Sequence, residues 1–214
     1  MQFLKNLDKK KLLFAGLVLL LVLSLSTAAV STLGKTDSRF SAIRIYLSPS
    51  NQYTNFYAVG DTTEMEQCDL IAEKTAEKLK KLGFTVMVGQ SGASLENRCN
   101  ESDDFNADMH IPIHTNALNG EYTGGTHVYV YGADEQTAAE SFLDTLGKIS
   151  PGDDDRIEYN PDLYEVFTPN ALTVYLECEF HDTEEGANWI INNTDSIAQA
   201  IADGVYNYYS NIEK

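Results

Sequence analysis

The stretch from residue 42 to residue 88 constrains the fold most. "AIRIYL" (42–47) alternates in polarity and is rich in β-formers, as a first strand should be. "SPSNQYTNFYAVGD" comes next as a loop. Over residues 62–82 the apolar and small positions Met65, Cys68, Ile71, Ala72, Thr75, Ala76, Leu79 and Leu82 recur at helical spacing, with Lys and Glu filling the outer side. Gly83 stops that helix, and "FTVMV" resumes as a second strand.

The alternation continues along the chain. The pattern predicts a helix over 95–105, strands over 109–114 and 127–131, and a helix over 135–146. An acidic insertion, "SPGDDDRIEYNPDLY", then precedes the strand "LTVYLE", and two closing helices are predicted over 184–192 and 195–208. Strands alternating with helices of this length imply a single α/β domain over residues 35–214, built on a mostly parallel sheet with helices on both faces.

Residues 1–34 belong to something else. Lys5, Lys9, Lys10 and Lys11 precede an uncharged, Leu-rich run from Leu12 to about Val30, so the start stays in the cytoplasm and the rest of the chain crosses the membrane. The run reads as one N-terminal hydrophobic helix, either an uncleaved signal anchor or a signal peptide with "STAAVS" as the cleavage region. Both place the domain outside the cell: as a single-pass membrane protein with the membrane as a partner, or as a secreted one.

The net charge of the whole chain is −17. Without residues 1–34, which hold four lysines and one aspartate, 11 basic face 31 acidic side chains. Phosphate binding draws on clustered Lys and Arg, so this excess excludes nucleic acid as the partner. Cys68, Cys99 and Cys178 form no C-x-x-C or other metal-ligand spacing and read as small buried residues.

Three strand ends collect polar residues: "LSPSNQ", "HTNA" and "ECEFHD". In an open α/β sheet the carboxyl ends of the strands are where a crevice forms. His114 ends the third strand, Glu177 lies in the late one, and Glu64 opens the first helix. Imidazole plus carboxylate is a zinc-type donor set, with a further carboxylate free to act as general base. Glu64 also suits a helix N-terminus on electrostatic grounds alone.

Together these residues resemble the zinc-dependent N-acetylmuramoyl-L-alanine amidases of the amidase_3 type, across nearly all of residues 42–208. "PIHTNA" is similar to the family's "SIHANA"-like segment and "LECEFHDT" to its "VEXGFXSN" segment. "GTHVYVYG" resembles the next strand in the family, and "NWIINNTDSIAQAIADGV" its closing helices. The resemblance implies a cell-wall hydrolase acting on peptidoglycan. It assigns zinc binding to His114 and Glu64, with Glu66 as the rival for the second place, and catalysis to Glu177. Glu64 extends the buried stripe of Cys68, Ile71, Ala72 and Thr75.

The chain departs from the family at one ligand: "SPSNQY" stands where the family has "DPGHGG", so Asn51 replaces a zinc-binding histidine, and an amide is a poor zinc ligand beside imidazole. His181, four residues past Glu177, is the candidate substitute, the other reading being a loop histidine exposed or paired with Asp182. His110, about 13 Å along the strand from His114, is too far to share an ion and reads as a hydrogen-bonded core residue. His127 opens the next strand, where it either lines the groove or, the preferred reading, faces solvent. If the missing ligand is not replaced, the alternative is a catalytically degenerate domain that binds peptidoglycan or regulates cell-wall turnover.

Overall fold

The computed structural model describes residues 38–121 and 123–212; the expected N-terminal hydrophobic helix lies outside the described residues. A 3₁₀ turn, Ser38–Phe40, leads into β1 (Arg44–Pro49), α1 (Glu64–Leu82), β2 (Thr85–Val88), α2 (Leu95–Phe105) and β3 (Met109–Asn116). Then come β4 (His127–Val130), α3 (Gln136–Leu146), β5 (Arg156–Tyr159), the short α4 (Tyr164–Phe167), β6 (Leu172–Thr173), β7 (Tyr175–Phe180) and α5 (Glu184–Ile212). Among the described residues no helix is long and apolar enough to cross a membrane.

The first βα unit forms where the periodicity places it. Thr63 caps α1, accepting from Glu66 N while the Glu66 carboxylate accepts from Thr63 N, so two orphan helix donors are satisfied reciprocally. At the other end Gly83 takes a left-handed conformation (φ 106°) and donates to Leu79 O and Lys80 O, which a residue with a Cβ would do only under strain.

The sheet order is β2-β1-β3-β7-β4-β5, with β6 beside β3. The pairs β1–β2, β1–β3, β3–β7 and β4–β5 are parallel, as the alternation implies, but β4 runs antiparallel to β7. A parallel return needs a crossover of a dozen or more residues, usually helical, and the link from β3 to β4 is a short loop without a helix. The acidic insertion contains β5 and leads at its last residue into α4.

Side-chain alternation divides the sheet into two unlike faces. One face carries Ile45, Leu47, Ile111, Ile113, Val128, Val130, Leu176 and Cys178 into the core that α1, α3 and α5 cover. Burial of these apolar side chains, each worth about 1.5–3 kcal/mol, holds the layers together. The opposite face presents Tyr46, Ser48, His110, His114, Tyr175, Glu177, His127 and Tyr129, and α2 and α4 lie over part of it. The two closing helices are one, α5, bent at Asn193 (φ −118°). Asn193 Nδ2 donates to Trp189 O (2.8 Å) and Thr194 Oγ1 to Ile190 O (3.3 Å), supplying partners to carbonyls where the ladder is interrupted.

Candidate active site

The polar face becomes a site at the carboxyl end of β1 and β3. The loop after β1 is tied down by backbone bonds from Ser50 N to Ile113 O (2.9 Å) and from Glu64 N to Asn55 O (2.8 Å), which bring residues 50–55 beside the start of α1. Glu64, the first residue of that helix, is fully buried, and its carboxylate points inward. His114 Nδ1 donates to Glu64 Oε1 at 2.8 Å. Glu66 is the residue engaged in the cap instead, its Oε2 accepting from Thr62 Oγ1 (2.8 Å) and Thr63 N (2.9 Å).

Glu177 sits on β7 as the register partner of His114 on β3. It is half-buried, and its Oε2 is enclosed without a hydrogen-bond partner. Burial pushes its carboxyl up to about 8; His114 pulls it down and Glu64 adds to the rise. For His114 desolvation lowers the pKa, but contacts with Glu165 and Glu64 outweigh it and raise the value to about 9. Glu64 is desolvated too, yet the His114 hydrogen bond and charge leave its pKa below the usual carboxylate range.

Glu165 is the residue that sequence reasoning missed. It comes from α4, directly after the acidic insertion, where one more glutamate carries no signal of its own. It is 2% exposed. Its Oε1 accepts from Ser48 Oγ and from His110 Nε2 (3.3 Å), while Oε2 lies 4.0 Å from His114 Nε2, an ion-pair contact and not a hydrogen bond. Burial alone would raise its pKa; the two histidines and Ser48 reverse this and bring it to about 2. His110 is therefore a hydrogen-bonded core residue, as the sequence implies. Tyr175 stacks on the His114 ring (centroids 4.6 Å, 17°), so the imidazole is held at Nδ1 and on one face while Nε2 is left unbonded.

A cavity of about 190 Å³ opens over this group, lined by Asn51, Gln52, His114, Tyr164, Glu165 and Tyr175 among others. Larger surface hollows of 660 Å³ beside α2 and 580 Å³ between α3 and α5 contain none of Glu64, His114 or Glu177. Of the three, the smaller cavity is lined by His114, together with Glu165; Glu64 and Glu177 lie behind that imidazole, bonded to it and as its strand partner, so this cavity is the candidate active site.

His181 and His127 do not line this cavity, though the Nε2 of His181 is buried without a hydrogen-bond partner. His181 is buried, stacked on Tyr57 (4.7 Å, 5°) and hydrogen-bonded through Nδ1 to Thr115 Oγ1 (2.9 Å). It neither reaches solvent nor pairs with Asp182, whose Oδ2 accepts from Leu118 N and Gly120 N. His127 is 1% exposed rather than solvent-facing, because β7 and Phe180 cover it; Asn116 Nδ2 donates to its Nδ1 (3.1 Å). Glu179, two residues past Glu177, accepts from Gly125 N and Ser150 Oγ and so anchors loops, not the cavity. All three cysteines are buried and free.

A mostly parallel α/β sheet with an imidazole at a strand end and three carboxylates gathered around it from a strand and two helices provides groups for proton transfer and charge stabilisation, as a hydrolase requires. The chain matches the family model described as N-acetylmuramoyl-L-alanine amidase over residues 45–207, and it belongs to that family. It is a peptidoglycan amidase, a hydrolase of the bond between N-acetylmuramic acid and L-alanine. Similar solved structures include the amidase AmiC2 of Nostoc punctiforme (TM-score 0.70, 17% identity, covering 78% of this chain and 97% of that one). Two others are the CwlV catalytic domain from Bacillus (Paenibacillus) polymyxa (0.70, 18%, 78% and 98%) and an N-acetylmuramoyl-L-alanine amidase from Clostridium difficile 630 (0.69, 23%, 79% and 98%). No curated protein sequence matches the chain.

The resembling family is zinc-dependent, and the donor set here can be tested against that. Glu64 and His114 supply two donors in contact. Asn51, in place of the third, turns its Nδ2 to Ala93 O (3.0 Å). Among the described residues no three His, Cys, Asp or Glu side chains are grouped to hold one ion. The side chains present do not fit a zinc site with three protein ligands.

Proposed function

We propose that this chain cleaves the lactyl–alanine amide of peptidoglycan in the cavity over His114, with Glu177 moving the proton and the His114–Glu64 pair meeting the charge on the carbonyl oxygen. The observation that carries the reading is the juxtaposition of Glu177 and His114 as register partners on adjacent strands, with Glu64 bonded to the far side of the imidazole.

In this scheme water attacks the amide carbon and Glu177, ionised, takes its proton. The carbonyl oxygen gains negative charge as the C–O bond forms. His114, held by Glu64 at Nδ1 and with Nε2 buried and unbonded, provides a positive, pre-oriented group for that oxygen. Glu177 then returns the proton to the alanine nitrogen as the C–N bond breaks. The products are a lactyl carboxylate and a peptide ammonium, the proton of the new carboxylic acid passing to the amine and Glu177 being left ionised.

The substrate is extracellular, and the basic start and hydrophobic run of residues 1–34 support export, with the domain on the outer side of the membrane or released from it. The test is Glu177→Gln in the full chain, assayed on purified peptidoglycan for newly freed alanine amino groups. The expected loss in kcat is about 10²–10⁴-fold with the fold unchanged by circular dichroism. Unchanged turnover would refute the assignment.

A further inference from the structure

The amides around Glu64 stand where an ion would otherwise meet its charge. Asn55 Nδ2 donates to Glu64 Oε2 at 2.6 Å, and Gln52 Nε2 donates to Glu64 Oε1 at 3.2 Å, the oxygen that also accepts from His114 Nδ1. Both carboxylate oxygens are thus satisfied inside the protein. A buried carboxylate without such partners would be expensive, and in a metal site the cation is what compensates it.

The loop that carries these amides is held in place independently of the side chains. Backbone bonds Glu64 N to Asn55 O, Tyr57 N to Thr62 O (3.0 Å) and Ser50 N to Ile113 O pin it at both ends. Asn51, the residue at the position of the missing ligand, is committed to Ala93 O. On the other side of the imidazole, Glu165 Oε2 stands 4.0 Å from His114 Nε2, with Ser48 and His110 holding its second oxygen. A residue that is a ligand in the family is here enclosed between carboxylates from two different elements.

We infer that Gln52 and Asn55 replace the resident zinc of this site: the Glu64–His114 pair is closed by side-chain amides and flanked by Glu165, and the resting protein holds no stoichiometric zinc. The inference rests on the amidase reading only for the choice of ion. Its test does not use hydrolysis, so the two can fail separately.

The experiment is zinc binding to the full chain purified in detergent. After exposure to zinc and gel filtration, metal analysis should find far less than one zinc per chain, and neither zinc nor a chelator should move the melting temperature. Asn51→His puts an imidazole on the cavity wall beside His114. It should raise zinc affinity by about tenfold or more and make the melting temperature respond to zinc. Gln52→Ala with Asn55→Ala, measured without metal, should lower the melting temperature by ~5 °C, since both oxygens of a buried carboxylate lose partners. One tightly held zinc per unmodified chain would overturn the inference. So would an unchanged melting temperature in the double variant, because idle amides cannot be what closes the site.

Discussion

Replacing Glu165 by Gln tests the charge arrangement most directly. The carboxyl moves from an ordinary 4.5 to about 2 in the folded protein. With each tenfold change in ionisation worth about 1.4 kcal/mol, ionisation of Glu165 contributes roughly 3 kcal/mol to stability. A depressed folded pKa means that this contribution is complete above the unfolded value of 4.5 and is lost as pH falls towards about 2. His114 has the opposite sign. Its pKa rises from 6.5 to about 9, so its contribution is complete below 6.5 and is lost as pH climbs through about 9. The two shifts are partly one attraction seen from its two ends and do not add. The advantage of wild type over Glu165→Gln should therefore peak between pH 4.5 and 6.5, at about 2–3 kcal/mol, and shrink on both sides. Urea unfolding monitored by the fluorescence of Trp189, the single tryptophan and half-buried against the core, reads this across the acid and alkaline limbs. A difference that stays flat from the 4.5–6.5 window up through about 9 would show that Glu165 packs without acting electrostatically on His114.

Three further outcomes rest on other parts of the structure. Because the Glu177 carboxyl is raised to about 8 and the charged His114 loses its proton at about 9, kcat/KM on peptidoglycan should increase up to about pH 8 and fall above about pH 9; a rise already complete about two pH units lower would place the base elsewhere. Thr63→Ala removes the cap at the residue before Glu64 and should cost about 1 kcal/mol in urea unfolding, with a fall in activity as the carboxylate loses its anchorage; unaltered stability would mean the capping box is redundant. Gly125→Ala forces a Cβ onto a residue at φ 125° and within 2.7 Å of the Asp154 backbone, and should destabilise by about 2 kcal/mol or more, whereas a stable variant with normal activity would show that the 124–154 contact yields easily.

Local chemistry is enough for much of this. The period of 3.6 over residues 62–82 places the first helix and puts Glu64 on the stripe that meets the core, and the structure buries it there, with Glu66 turned to the cap. The strand pattern of "MHIPIHTN" likewise carries His114 to the polar face, since alternation decides the face once the core face is known. These features depend on neighbours a few residues away in the chain, which the sequence displays.

Tertiary structure decides the rest. The antiparallel run of β4 comes from a link too short for a crossover, and β5 within the acidic stretch and the one-turn α4 at its end are too short to show a period. His181 is a candidate ligand by its distance along the chain from Glu177; only in space is it seen that stacking on Tyr57 and the Nδ1 bond to Thr115 orient its ring and leave Nε2 buried without a partner. Glu165 reaches His114 from 51 positions further along the chain, and Gln52 and Asn55 reach Glu64 only because backbone bonds fold their loop against the start of α1. Sequence determines which side chains are available to the site. Whether the buried charge of Glu64 is met by an ion or by amides depends on how loops remote from one another close around it, and that is settled only in three dimensions.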